Sequence, residues 1–238
     1  MPDGTIYYVG QVPPENWLLV KPASGANISV PYGLKLKSIE LRNGRRYFEI
    51  LEGVHIGKVV SITASGAQSY LTTELRHQPG GPVVFDLAKQ TILFGGQGPY
   101  NAFSGGGSMG FTPVSRGQFK LAIPAFPTAQ TRPQYSTWTR YHRSWFRIGI
   151  DVSGSRFLHP GAISEGCVTV RQFIYDPGSS TPPPQGFGDL PDLAANHPGL
   201  IGLPLPATRA ATISWDRIYD YLILRRLDEQ SVGTLTVI

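Results

Sequence analysis

The sequence predicts a mainly β protein with one helix near its C-terminus, and three observations predict it. Glycine (28) and proline (21) are frequent, and they are scattered between short apolar runs along the 238 residues. That punctuation suits many short strands and turns. Hydrophobic residues make up 41% of the chain and charged residues 16%, a balance that allows a packed core and argues against disorder. A helical stripe with a capped start is found only at Ser214–Asp228.

In chain order, strands are expected at Thr5–Val9, Trp17–Val20, Arg46–Leu51 and Lys58–Thr63, with turns at Asn43-Gly44 and Gly53. Arg45–Leu51 alternates between polar and apolar residues, as a half-buried strand does. Residues 1–80 therefore read as a small β-barrel or sandwich unit. The segment His77-Gln78-Pro79-Gly80-Gly81-Pro82 is a natural boundary, and a second β-rich unit, 81–238, follows. Val83–Leu87 and Thr91–Phe94 form an expected hairpin through Ala88-Lys89-Gln90. Gly95–Gly110 reads as a glycine-rich mobile loop. It is no phosphate cradle, because neither Lys-Ser/Thr nor a helical pattern follows it. Further strands are expected at Phe119–Ile123, Phe146–Val152 and Arg156–His159. Ser179–Pro206 is a long loop by composition, with one short helical turn near Leu190–Asn196. Ser214 suits the N-cap of the last helix, Asp216 its first turn, and Ile218, Tyr221, Leu222 and Leu224 its apolar stripe. Thr234–Ile238 completes the chain as a strand.

Composition also limits the partners. The formal charge of +5 favours acidic partners such as wall polymers, but no dense Lys/Arg run exists, so no nucleic-acid interface is expected. No run of 18 apolar residues occurs, so no membrane span is expected. Met1-Pro2-Asp3-Gly4-Thr5 has neither a basic nor an apolar leader region; an exported protein would then need a trimmed leader or a dedicated export machine. One cysteine rules out an intramolecular disulfide and a Cys-rich zinc site. His55, His77, His142 and His197 lack metal-ligand spacing, and no metal is expected.

The chemistry concentrates in Arg156-Phe157-Leu158-His159-Pro160-Gly161-Ala162-Ile163-Ser164-Glu165-Gly166-Cys167-Val168-Thr169-Val170. A strand-like run delivers His159, a turn follows, and Cys167 opens a second strand-like run. Two such strand ends lie side by side when the turn folds back. A thiol is a weak nucleophile at neutral pH until a neighbouring imidazole takes its proton or pairs with the thiolate. Gly166 allows close backbone approach, and the Gly166 and Cys167 amides are candidate oxyanion donors. A buried structural cysteine beside a surface histidine fits the same residues.

Ser164-Glu165-Gly166-Cys167-Val168 resembles the Ser/Thr-x-Gly-Cys-hydrophobic signature of the L,D-transpeptidase (YkuD-type) catalytic domain, which also has an upstream histidine at a strand end. Val84–Leu93 is similar to that family's opening hairpin. Thr112-Pro113-Val114-Ser115-Arg116-Gly117-Gln118-Phe119 is similar to its Thr-Pro-x-Gly-x-Phe segment. The three matches occur in the family's order across Val83 to Val170. The chain departs from the pattern at Glu165, where most members have His, at His159-Pro160 in place of His-Gly, and at Thr169 in place of Arg. The His-to-Cys spacing is also shorter. These features look closer to a compact branch that includes antibacterial toxins delivered by secretion systems.

The resemblance implies an L,D-transpeptidase-like β-sandwich with a C-terminal helix, preceded by the small β unit. It implies acyl transfer on peptidoglycan stem peptides, with Cys167 as nucleophile, His159 as base, and Gly166 and Ser164 shaping the turn. L,D-carboxypeptidase or amino-acid exchange are possible outcomes of the same thioacyl intermediate. No cofactor is implied. Periplasm or cell wall is the implied location, and a secretion-system or immunity protein would be the partner in the toxin branch. Glu165, Arg147, Arg171, Trp145 and Tyr141 are candidate substrate contacts, with Arg140 and Arg143 as further candidates for binding carboxylates. Two other classes remain open: a non-catalytic wall-binding protein, and a cysteine peptidase or amidase of another fold.

Overall fold

The structure, a computed structural model, describes residues 1–105, 112–129, 139–149, 156–161, 164, 166–170 and 215–238. It is mainly β, with a C-terminal helix, as expected. The first sheet has seven strands: β1 (Ile6–Val9), β2 (Trp17–Pro22), β3 (Ile28–Pro31), β4 (Lys35–Arg42), β5 (Arg45–Ile50), β6 (Val59–Thr63) and β7 (Leu71–Thr72). Their order is β3-β2-β6-β5-β4-β1-β7. Asn43 and Gly44 both take positive φ, 51° and 70°, and close a two-residue hairpin with Arg42 opposite Arg45. Along β5 the alternation puts Arg46, Phe48 and Ile50 inside. Buried Arg46 meets Asp3. A short helix, α1 (Ala64–Tyr70), follows β6, and its N-cap Thr63 accepts from the Gly66 N–H at 3.1 Å. No periodic apolar stripe marks it, because Ala67 is its only buried residue.

The second sheet has eight strands: β9 (Gly81–Asp86), β10 (Thr91–Phe94), β11 (Gln97–Phe103), β12 (Gly117–Ala122), β13 (Phe146–Arg147), β14 (Phe157–Pro160), β15 (Val168–Val170) and β17 (Ser231–Val237). Their order is β12-β17-β9-β10-β11-β15-β14-β13. The expected β9–β10 hairpin is present, with Phe85 opposite Ile92. Part of the segment read as a mobile loop is instead strand β11, which pairs with β10 and with β15. The glycine content hid it: Asn101, Ala102 and Phe103 are buried, but Gln97, Gly98 and Pro99 are exposed. A bridge between Leu121 and Ile148, with Gly149 N–H donating to the Lys120 carbonyl at 2.8 Å, draws the two edges together. The sheet thus curls into a nearly closed barrel.

Helix α2 (Trp215–Ile223) buries Trp215, Ile218, Tyr219, Leu222 and Ile223, the i, i+3, i+4, i+7, i+8 stripe of a core-facing helix. It stops earlier than the sequence indicated, because Arg225–Arg226 become strand β16 and pair in parallel with β8 (Gln78–Pro79). The turn-rich boundary segment is therefore hydrogen-bonded in place. The expected loop 179–206, its helical turn and the Ser214 cap lie outside the described residues.

Buried contacts join the sheets. Arg226 forms a two-point ion pair with Glu52, Nε to Oε2 at 2.8 Å and an Nη to Oε1 at 2.9 Å, with side chains 9% and 3% exposed. Glu52 also accepts from the Lys35 N–H at 2.7 Å. Trp17 Nε1 donates to Ser144 at 3.0 Å and Asn16 donates to the Tyr141 hydroxyl at 3.1 Å. A buried pair that loses one partner leaves an uncompensated charge, which costs about 3–5 kcal/mol. Glu52→Ala is expected to lower the unfolding free energy by that order in urea melts, and Glu52→Ala/Arg226→Met by clearly less. Equal losses in the two variants would show that the pair is not what Arg226 needs.

Candidate active site

The site is built on the parallel pairing of β14 with β15. Its register sets Leu158 opposite Val168, His159 opposite Thr169 and Pro160 opposite Val170. Side chains alternate along a strand, so Phe157 and His159 share one face, and Cys167 and Thr169 share the neighbouring one. Cys167, just before β15, lies beside Phe157 and two residues from Thr169, the partner of His159. The sequence expectation that the two strand ends lie side by side is met.

Cys167 is 8% exposed. The Phe157 N–H donates to its Sγ at 3.3 Å, and such a donor suits a negative sulfur better than a neutral one. Ser164 Oγ donates to the Cys167 carbonyl at 2.7 Å and closes the turn that presents the thiol. Gly166 has φ of 84°, and a Cβ there would sit 2.8 Å from the Thr112 carbonyl oxygen. The neighbouring strand end is as tight, since a Cβ on Gly105 would collide with the Ser164 carbonyl oxygen. Glycine is required at both places by close backbone approach.

His159 is buried. Its Nδ1 donates to the Pro160 carbonyl at 2.8 Å, which leaves Nε2 as the acceptor, and the Thr169 hydroxyl donates there at 3.1 Å. Trp145 stacks on the imidazole, centroids 4.3 Å apart and planes 20° apart. Burial holds the His159 pKa down at about 4, against 6.5 for a free side chain, although the Pro160 carbonyl acts in the other direction. The ring is therefore neutral at pH 7, with Nε2 ready to accept a proton.

The structure brings together Cys167, Gly166, Ser164, His159 and Trp145. Arg147 is near them, on β13 next to β14. Glu165 and Arg171 lie outside the described residues. Tyr141 is elsewhere: it is 1% exposed, stacks on Tyr219 at 4.1 Å and accepts from Asn16, so it packs the junction of the two sheets and cannot form a substrate wall. Arg140 faces Asp216 and Asp220, and Arg143 faces Glu15, so both serve the protein's own carboxylates. Residues the sequence did not single out complete the site. Thr169 holds His159. Arg156 donates to the Pro113 carbonyl at 2.7 Å and to Thr112 Oγ1 at 2.9 Å, fastening the 112–113 segment beside Gly166. Arg156 could have been suspected as the charged residue that opens the motif segment; Thr169 needed the strand register.

Among the described residues, no cluster of His, Cys, Asp and Glu is placed to hold a metal, and no helix is long and apolar enough to cross a membrane. No protein-family model, curated protein or solved structure matches the chain.

Two expectations follow. Gly166→Ala combines a left-handed backbone with a clash against Thr112, and a loss of about 1–3 kcal/mol is expected in thermal or urea melts; an unchanged melting temperature would mean that the turn relaxes freely. His159 contributes to pH dependence with a definite sign. Its folded pKa lies below the unfolded value, so its stability contribution is complete above pH 6.5 and is lost as the pH falls from 6.5 through about 4. Between pH 7.5 and 4.5, wild type is expected to lose about 2 kcal/mol more unfolding free energy than His159→Gln, whose side chain does not titrate. Parallel losses would place the His159 ring in contact with water.

Proposed function

We propose that the chain is a cysteine acyltransferase of the L,D-transpeptidase type that acts on peptidoglycan stem peptides. The observation that supports this reading is the parallel pairing of β14 with β15, in which the neutral, tautomer-fixed His159 stands opposite Thr169 while the Phe157 N–H of the same strand donates to the Cys167 thiol. The Ser164-x-Gly166-Cys167 turn supports it, and so do the three ordered sequence resemblances, two of which pack on this turn or on the strand beside it.

In the reaction, the Cys167 Sγ–H proton passes to His159 Nε2, and sulfur bonds to the carbonyl carbon between the third and fourth stem residues. The Thr169 hydroxyl occupies Nε2 at rest, so it turns aside or relays the proton. The C–N bond breaks, the proton on His159 goes to the departing amine, and D-Ala leaves a thioester on Cys167. An acceptor amine then loses its proton to His159 and attacks the thioester, the C–S bond breaks, and the proton passes from His159 to the released Cys167 sulfur. Water in place of the amine gives carboxypeptidase activity. Burial suits this cycle, since the imidazolium forms only when negative charge develops beside it.

The test is covalent. A carbapenem carbonyl is a strained acyl donor, and members of the resembled family are acylated by such drugs. Wild type is expected to gain one drug mass at Cys167 on long incubation, and Cys167→Ser none. Stem tetrapeptide incubated with wild type is expected to release D-Ala, and Cys167→Ala is expected to release none. Absence of both reactions, in protein whose Cys167 still reacts with iodoacetamide, would favour a non-catalytic wall-binding protein or a cysteine enzyme of another substrate class.

A further inference from the structure

The junction of the two sheets holds a buried histidine that the candidate site does not use. His77 immediately precedes β8, and its side chain is only 10% exposed. Its Nε2 donates to the Gly33 carbonyl at 2.8 Å, so the neutral ring keeps its lone pair on Nδ1. That Nδ1 is buried and has no hydrogen-bond partner among the described residues. The Gly33 carbonyl also accepts from Arg226 Nη2 at 3.3 Å, so one backbone oxygen joins His77 to the buried Arg226–Glu52 pair. The fit around it is close: a Cβ on Gly33 would lie 3.1 Å from the Leu224 side chain and 3.3 Å from the Ile223 carbonyl oxygen. Tyr8 of β1 meets the imidazole edge to face at 5.0 Å. Lys35 of β4 and Arg226 of β16 bring positive charge to it, and Glu52, after β5, has an oxygen 3.7 Å from Nε2. On its own segment, Arg76 turns to the Thr73 and Leu75 carbonyls. Glu52 is already committed, since it holds Arg226 at two points and accepts from the Lys35 N–H.

We propose that His77, the Gly33 carbonyl and the Glu52–Arg226 pair form an acid-sensitive latch between the two sheets. A further proton enters the ring at Nδ1, where the new N–H finds no acceptor and the ring becomes a second cation beside Arg226. The closed junction excludes that proton, and an opened one, in which the ring meets water, accepts it. Burial, and after it the Arg226 charge, hold the His77 pKa below 6.5, against the pull of Glu52 and the Gly33 carbonyl. The closed value lies below the open one, so the contribution of the ring to closure is complete above pH 6.5 and is lost as the pH falls. The consequence reaches the neighbourhood of the candidate site. Glu52 and Gly53 fix the base of the turn that carries Val54 and Ile56. That turn is one wall of an apolar groove of about 360 Å³ whose lining includes Trp145 and Phe157, with Phe126, after β12, on the opposite wall. Acid thus loosens one wall of the groove. The latch does not depend on the acyltransferase reading.

The experiment is amide hydrogen exchange on the full chain between about pH 7.5 and 5, corrected for the intrinsic pH dependence of exchange, in wild type, His77→Gln and His159→Gln. Two amides report on the latch: the Gly53 N–H donates to the Glu229 carbonyl, and the Gln78 N–H to the Leu224 carbonyl. In wild type their protection is expected to fall by up to about tenfold for each pH unit below 6.5, while the amides that pair β9 with β10 keep theirs. A glutamine at position 77 has an amide nitrogen to offer the Gly33 carbonyl but takes up no proton, so in His77→Gln the two amides are expected to show no such fall. His159→Gln is expected to follow wild type. Flat protection in wild type, a fall of equal size in His77→Gln, or the same loss at the β9–β10 amides would each overturn the latch. An NMR titration of the His77 ring in wild type needs no variant. Its midpoint is expected below that of the urea-unfolded chain, and an equal or higher midpoint would overturn the proposal.

Discussion

The register between β14 and β15 is the constraint on which the rest of the site depends. Parallel neighbours are usually joined by a dozen residues or more, because the chain must return to the starting end of the first strand. Here residues 161–167 alone make the return. So short a connection leaves little freedom, and the local chemistry uses it up: Gly166 turns with positive φ where the Thr112 carbonyl leaves no room for a side chain, and Ser164 ties its hydroxyl to the Cys167 carbonyl. A slip of one residue would turn Cys167 to the opposite face from His159. Leu158 and Val168, directly paired and both fully buried, oppose that slip, since it would move both out of the core.

The same burial that fixes the register sets the electrostatics. A histidine enclosed by Trp145, the Pro160 carbonyl and the Thr169 hydroxyl is disfavoured from carrying charge, since burial holds its pKa down at about 4. Among the described residues, two hydrogen bonds, to the Pro160 carbonyl and from the Thr169 hydroxyl, settle its tautomer. A carboxylate partner would have raised the basicity of the ring and made a resting ion pair with the thiol easier; a backbone carbonyl orients the ring with less effect on charge. Under the acyltransferase proposal, the arrangement favours proton transfer timed to the attack over a preformed thiolate-imidazolium pair. The Phe157 N–H at sulfur works toward the same end, because it gains strength as negative charge grows there.

Much of this was legible in the sequence, and the reasons differ by element. Asn43-Gly44 predicts its own hairpin, because few other pairs tolerate two positive φ values. The strand-turn-strand around Ser164-Glu165-Gly166-Cys167 announces that the strands carrying His159 and following Cys167 lie side by side. Strand β11 was missed because its Gly98-Pro99 start and the adjoining glycines carry loop chemistry, while the pairing that makes it a strand comes from β10 and β15. Helix α1 was missed because a helix resting on one alanine has no periodic stripe to show. Tyr141 reads from the sequence as a candidate substrate contact beside Trp145. In fact the two residues flank the turn at Ser144, one facing Tyr219 in the core and the other facing His159. Sequence distance carries no information about which side of a turn a ring takes.

The role of the first unit could not be read from its sequence, because nothing in residues 1–80 is chemically reactive in an obvious way. Its connection to the site is mechanical. Glu52, the residue that closes the buried pair with Arg226, is followed directly by Gly53, whose N–H donates to the Glu229 carbonyl at 2.7 Å. Val54 and Ile56 come next and form one wall of the groove. The ion pair and the backbone bond thus fix the base of that turn against β16 and the turn that leads from it into β17. β17 in turn pairs with β12, whose end leads into the opposite wall at Phe126. Both walls are therefore tied to one strand, so the groove's width is set by the sheet rather than by loops. The physical reason for fusing a second sheet to the thiol-bearing one is then that it makes a rigid cleft from two elements that neither sheet could hold open alone.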